Sequence, residues 1–179
     1  NYSTTDPEKD YKKAKEYFMK GDYALSYSLL QSLLDKYPDN TESSHAYINQ
    51  DIKYFYIVTR LKLGQSWAEG EARSYIESAV NEPRQQMMSF HLAHYYFTQE
   101  DFARAAVYYE RAGYENLSND EIADAKFELA YSYFKMNQDA KAKPLFNEIH
   151  QLSSNKYYKD ANYYYGYICF KQKDYNQAL

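Results

Sequence analysis

The sequence predicts an all-α chain, a right-handed superhelical solenoid of antiparallel helix pairs, and three observations lead there. Apolar residues recur at helical spacing instead of alternating. Only 5 glycines and 4 prolines punctuate 179 residues, too few for the turns of an all-β or doubly wound fold. Finally, four stretches of the chain align with one another, the mark of a fold built by repetition. They are Tyr11–Asp39, Met88–Gly113, Lys126–His150 and Asn162–Leu179.

In that alignment small residues coincide at Ala14, Ala93, Ala130 and Gly166, and three residues later stand Tyr17, Tyr96, Tyr133 and Cys169. Polar turns follow at Gly21-Asp22, Glu100-Asp101, Asn137-Gln138 and Lys173-Asp174. Beyond them come Tyr23, Phe102, Asp139 and Tyr175, then a second small residue at Ser26, Ala105, Ala142 and Ala178. Leu30, Tyr109 and Phe146 close the pattern with Leu33, Ala112 and Ile149. The physical reading is two helices crossing closely, with small side chains where the backbones approach and aromatics filling the space left. Neither helix of such a pair buries its apolar face alone, so neighbouring pairs must stack.

Taken in order, Asp6-Pro7 reads as N-cap and first helical residue, opening the first pair at residues 7–40. Residues 41–85 fit poorly and read as a degenerate pair. It has a long first helix from about Ser44 to Leu63, a break at Gly64-Gln65-Ser66 and a second helix from about Trp67 to Val80. Ala72, Ile76 and Ala79 keep the second-helix spacing, and Asn81-Glu82-Pro83 reads as a stop and restart. A third pair covers 86–120. Ser118-Asn119-Asp120-Glu121 then reads as a capping box opening the fourth, at 121–157. The fifth, at 158–179, stops partway into its second helix, which predicts that the single array is a fragment of a longer one.

Small residue, Tyr, Gly-Asp-Tyr, small residue, large apolar residue and Pro occur in the first pair as Ala14, Tyr17, Gly21-Asp22-Tyr23, Ser26, Leu30 and Pro38. That order resembles the tetratricopeptide repeat family, whose unit is about 34 residues. The chain departs from it in longer connections such as Tyr114 to Asn119, in lacking the early Trp, and in Ser154 where the fourth pair would carry Pro. The resemblance implies a non-catalytic scaffold that holds a protein or peptide in a concave groove lined by the first helix of each pair. Counted from the small residue, the groove positions are Tyr11, Lys15 and Phe18; Phe90, His94 and Phe97; Phe127, Tyr131 and Phe134; and Tyr163, Tyr167 and Phe170. Most are aromatic, as interface anchors commonly are. The competing reading is that these rings only pack one helix on the next. The family's Lys/Asn clamp on a terminal carboxylate is not matched, since Tyr11 and Lys15 stand at its positions.

The run Tyr23–Asn40 is similar to repeats of bacterial envelope tetratricopeptide proteins, including outer-membrane assembly lipoproteins and Tol-Pal coordinators. That likeness implies a role in envelope assembly and a periplasmic or outer-membrane-associated location, with the cytoplasm as the alternative. A start at Asn1 in a Ser/Thr-rich lead fits a processed or engineered beginning. The rival function is structural, an array that oligomerises or spaces domains in a larger protein, with homo-oligomers forming through the last repeat.

Composition narrows the remaining classes. A mean hydropathy of −0.85 sits oddly with 45% hydrophobic residues until the 24 tyrosines are counted, each a large ring with a hydroxyl that seeks a partner. A net charge of −4 and the interleaving of Lys12, Lys13 and Lys15 with Asp10 and Glu16 argue against nucleic acid. No apolar run is longer than the five residues of Tyr54–Val58, far too short for a membrane span. The five glycines are isolated, so no phosphate-binding loop can be drawn, and no Gly-x-Ser-x-Gly elbow occurs. His91 and His94 share a helix but lack a third ligand, so no metal and no cofactor is expected. Cys169 reads as a buried small hydrophobe. Asp120, Glu121 and Asp124 sit where a helix's first turn favours negative charge.

Overall fold

The computed structural model describes residues 6–36, 46–79 and 81–178, with side-chain surroundings for 6–36, 49–79 and 81–173. Pro38, Ser44, Val80, Leu179 and the Tyr2–Thr5 lead, all used above, lie outside the described residues. So do the side chains of Tyr175 and Ala178. Among the described residues every regular element is a helix. In order these are α1 (Pro7–Met19), α2 (Tyr23–Lys36), α3 (Ala46–Lys62), α4 (Ala68–Ser78), α5 (Glu82–Thr98), α6 (Phe102–Ala112), α7 (Asn119–Lys135), α8 (Asp139–His150) and α9 (Tyr158–Ala178). The chain divides into two compact units, Asn1–Leu92 and Ala93–Leu179.

In the first unit, Asp6 accepts a hydrogen bond from the Glu8 amide at 3.1 Å, with Pro7 in the first turn, as the sequence predicts. Gly21 then turns the chain with φ of 81°, a conformation that only glycine adopts without steric cost. The helix crossing is visible in one contact, where the Ser26 hydroxyl on α2 donates to the Ala14 carbonyl on α1 at 2.9 Å. Both residues are fully buried. A larger side chain at either position would push the backbones apart. Leu30, Leu33 and Ile52 complete this core with α3, and Gly64 ends α3 with φ of 71°.

The second unit repeats the scheme. Asp101 caps α6 by accepting from the Arg104 amide at 3.1 Å. Ser118 and Glu121 exchange the two hydrogen bonds of a capping box at the start of α7. Ala93, Ala105, Ala130 and Ala142 are all fully buried. Leu30, Tyr109, Phe146, Leu33, Ala112 and Ile149 are at most 2% exposed, so the closing rows of the repeat are core in both units. The turns at Glu100 and Asn137 take φ near 60° without glycine. A non-glycine residue there costs on the order of 1 kcal/mol, which the apolar faces on either side of the turn offset.

Three expectations are corrected at the end of the chain. No turn forms at Lys173-Asp174, and α9 runs as one helix from Tyr158 to Ala178. Lys173 would need the left-handed backbone that Gly21 adopts freely, a strained conformation for a residue with a Cβ. Gly166, aligned with three fully buried alanines, is exposed, with no atom beyond its own helix backbone within 4 Å of where a Cβ would stand. The buried face of α9 is instead Ala161 and Ile168, while Cys169 is only partly buried.

Candidate functional site

The twelve positions expected to line a groove divide between the units. In the second unit, the rings of α5, α7 and α9 interlock across successive helices. Phe97, on α5, meets Tyr131 on α7 at 5.7 Å between centroids. Tyr131 meets Tyr164 on α9 at 5.4 Å, and Phe134 meets Tyr164 at 5.1 Å and Tyr167 at 5.8 Å. Phe127 stacks flat on Tyr157 at 4.3 Å. Most of these contacts are edge-on or tilted, the geometry that the ring quadrupole favours, each worth roughly 0.5–1.5 kcal/mol beyond burial. Phe97, Phe127, Tyr131 and Phe134 are partly buried, so each ring both packs and shows an edge. Tyr163, Tyr167 and Phe170 are 67%, 43% and 63% exposed.

Polar groups fix this surface from below. Glu128 is 6% exposed, and both its oxygens meet His94 Nδ1, at 2.9 and 3.0 Å. The Tyr109 hydroxyl donates to the same carboxylate. A buried carboxylate so rich in donors satisfies its lone pairs, which burial otherwise makes expensive. Asp124 plays a similar part, accepting from the Tyr157 hydroxyl at 2.5 Å and pairing with Lys156 at 2.7 Å. Burial first, then the bond to Asp124, pushes the Tyr157 phenol well above its ordinary range. Burial and the Glu110 carboxylate do the same to Tyr133. These phenols therefore stay neutral donors.

In the first unit the predicted positions lie in a smaller cluster. Phe18 meets Phe55 at 5.2 Å, Tyr11 meets Phe55 at 6.2 Å, and the Lys15 ammonium lies 4.7 Å from the Tyr11 centroid. Burial, followed by the Asp51 carboxylate, raises the Tyr11 phenol far above its usual range. Phe90 is 5% exposed with its ring 5.1 Å from His91, so the core takes it up and it has little surface to offer. A cleft of about 410 Å³ opens beside Asp51 and Arg84, which pair at 3.1 Å.

Several residues of these clusters were not among the predicted positions. Phe55 belongs to the degenerate pair, where the repeat offered no register, although the run Tyr54-Phe55-Tyr56 marked it as ring-rich. Tyr157 precedes α9 and Tyr164 lies between two predicted positions, so counting from the small residue passes over both. Glu128 follows a predicted position by one residue, and an acid set between Phe127 and Leu129 was the signal available. Among the described residues no group of three or more His, Cys, Asp or Glu is placed to hold a metal ion. No helix among them is long and apolar enough to cross a membrane.

A model of the tetratricopeptide repeat family matches residues 10–40 and 124–155, the first and fourth pairs read from the alignment. No curated protein and no solved structure matches the chain.

Proposed function

The chain is a tetratricopeptide repeat protein, and from that premise we propose that it is a non-catalytic scaffold holding a partner protein or peptide on the ring surface of its second unit. Repeats of this family generally mediate protein–protein interaction and are typically without catalysis. The observation that carries the reading is the run of partly buried rings from Phe97 through Tyr131 to Tyr167, fixed from below by Glu128 and Asp124. Rings already locked by packing lose little freedom on binding, so more of the contact energy appears as affinity. The test is capture of partners by wild type and by the pair Tyr163→Ala and Phe170→Ala, whose side chains are exposed and whose loss spares the core. Reduced recovery is expected, and equal recovery of every partner would remove this surface from consideration.

A role in the bacterial envelope, with a periplasmic or outer-membrane-associated location, extends the same proposal. It rests on the style of Tyr23–Asn40, and fractionation of the source cells tests it. A second reading has one observation in its favour. Tyr163, Tyr167 and Phe170 flank the open backbone of Gly166, a face suited to a helix from another copy. In that reading the array oligomerises or spaces a larger protein. Light scattering over a concentration series decides, since a mass that stays monomeric rejects self-association.

A further inference from the structure

Three exposed rings lie together on α9. Tyr163, Gly166, Tyr167 and Phe170 fall on one side of the helix at 3.6 residues per turn, and its fully buried residues, Ala161 and Ile168, fall on the other. Between the rings, Gly166 leaves a notch, since no atom beyond its own helix backbone lies within 4 Å of where a Cβ would stand. Another helix can bring its backbone close at such a point.

On the earlier first helices of this unit, rings at the same positions are covered by the next first helix. Phe97 of α5 meets Tyr131 of α7, Phe127 of α7 meets Tyr164 of α9 at 6.4 Å, and Phe134 meets Tyr164 and Tyr167. The stripe on α9 is the following face of that ladder. Its aligned rings are the open ones, and a ring-bearing helix is the cover that the ladder uses.

The order of the stripe says which helix fits. Its spacings are 3, 1 and 3 residues, the same read from either end, and its midpoint falls between Gly166 and Tyr167. Tyr163 lies as far before that midpoint as Phe170 lies after it. A second α9 running the opposite way, about a two-fold axis through the midpoint, sets Tyr163 of each copy against Phe170 of the other. The Gly166 backbones then meet close to the axis. Charge favours the same direction. Exposed Asp160 lies one turn before Tyr163, and exposed Lys173 one turn after Phe170. Lys159 and Asp174 are related in the same way along the sequence. Antiparallel pairing brings opposite charges together at both ends, whereas parallel pairing sets like against like. A stripe complementary to itself makes a closed two-fold contact, with the same patch used by both copies.

We propose that α9 is a dimerisation helix, pairing antiparallel with α9 of a second copy of this chain across Gly166. The inference rests on the self-association reading above and gives it a contact and a direction. The three rings expose on the order of 350 Å², less than half of the ~800 Å² that each side of a standard interface buries, so the dimer exchanges with monomer in the micromolar range.

The experiment is sedimentation equilibrium of the full chain from about 1 to 300 μM, where a monomer–dimer equilibrium is expected. Phe170→Ala and Gly166→Gln should each raise the dissociation constant about tenfold, the first by removing a ring anchor and the second by filling the notch. Both positions are exposed, and glutamine is a better helix former than glycine, so neither melt should fall appreciably. Direction is read by oxidative cross-linking in a Cys169→Ser background, Cys169 being the only cysteine. Gly166→Cys should give a covalent dimer. Tyr163→Cys alone should not, because its two copies lie about 10 Å apart along the antiparallel helices, beyond disulfide reach. Mixed with Phe170→Cys, it should. A chain that stays monomeric throughout overturns the inference together with the self-association reading and leaves the face to a helix of different sequence. A dimer that survives both Phe170→Ala and Gly166→Gln keeps self-association and overturns the α9 contact. Cross-linking of Tyr163→Cys by itself, as readily as Gly166→Cys, overturns the antiparallel order.

Discussion

The two units of this chain bury charge in opposite ways. In the first, cations go inside. The Arg60 side chain is fully buried, its guanidinium 3.1 Å from the Trp67 ring centroid and 4.8 Å from that of Tyr56, with Glu71 at 2.5 Å. Arg84 lies over Tyr54 at 4.4 Å while pairing with Asp51. In the second unit the buried charge is the carboxylate of Glu128, which the Tyr109 hydroxyl and His94 satisfy. Nearer the surface, Tyr133 donates to the exposed Glu110 and Tyr157 to the partly buried Asp124. A phenol is a donor without a charge, so it satisfies a carboxylate without bringing a cation inside. The first unit instead lays two arginines over rings while each pairs with a carboxylate.

The sharpest break of this comparison is Arg60→Ala. It removes a buried stem, two ring contacts and the partner of Glu71, and is expected to destabilise the first unit by about 2–4 kcal/mol. Hydrogen exchange should report the loss in α3 and α4. In the second unit Glu128→Leu should cost about 2–3 kcal/mol, because the Tyr109 hydroxyl and His94 lose their acceptor in a buried place. Glu128→Gln keeps an acceptor and should cost about 1 kcal/mol. Denaturant midpoints compare the two, and equal losses would show that acceptance by Glu128 is not what matters.

A titration sharpens the contrast further. Tyr11, Tyr56, Tyr75, Tyr114, Tyr133, Tyr157 and Tyr164 have phenols raised above the ordinary value, with burial as the first cause in each. A raised phenol means that folding favours the neutral form. Its contribution is therefore complete below the unfolded value of about 10 and is lost as pH rises above it. Absorbance near 295 nm should show these tyrosines titrating late, together with unfolding, and Tyr157→Phe should remove one late step. If every tyrosine titrates near pH 10 with the helical signal intact, the buried phenols are not as placed here. The smallest effect belongs to Tyr163→Ala. The side chain is 67% exposed, so melting should move by less than about 0.5 kcal/mol while partner binding falls.

These particulars also show where the sequence could be read. The crossing at Ala14 and Ser26, the cap at Asp6 and the capping box at Ser118 depend on residues close in the chain or fixed in the repeat, and each was legible. The turn expected at Lys173-Asp174 was not formed, because the left-handed backbone that Gly21 takes freely is strained at Lys173, and alignment registers a position without its backbone preference. Phe90 fell at a groove position by count and is core by burial, while the equivalent Phe127 keeps an open edge. Counting from a small residue fixes the angle of a side chain around its helix. It does not say how near the next helix comes.

The sequence by itself determined the helix pairs, their periodic core and their membership in a repeat family, because local spacing and a repeated face need no knowledge of distant residues. Only the tertiary structure decided which rings stay open, which acids are served by phenols and that His94 is held by Glu128. Those outcomes join residues 34 or more positions apart, or on separate helices, where burial and hydrogen-bond geometry are set by the packing and not by the order of the chain.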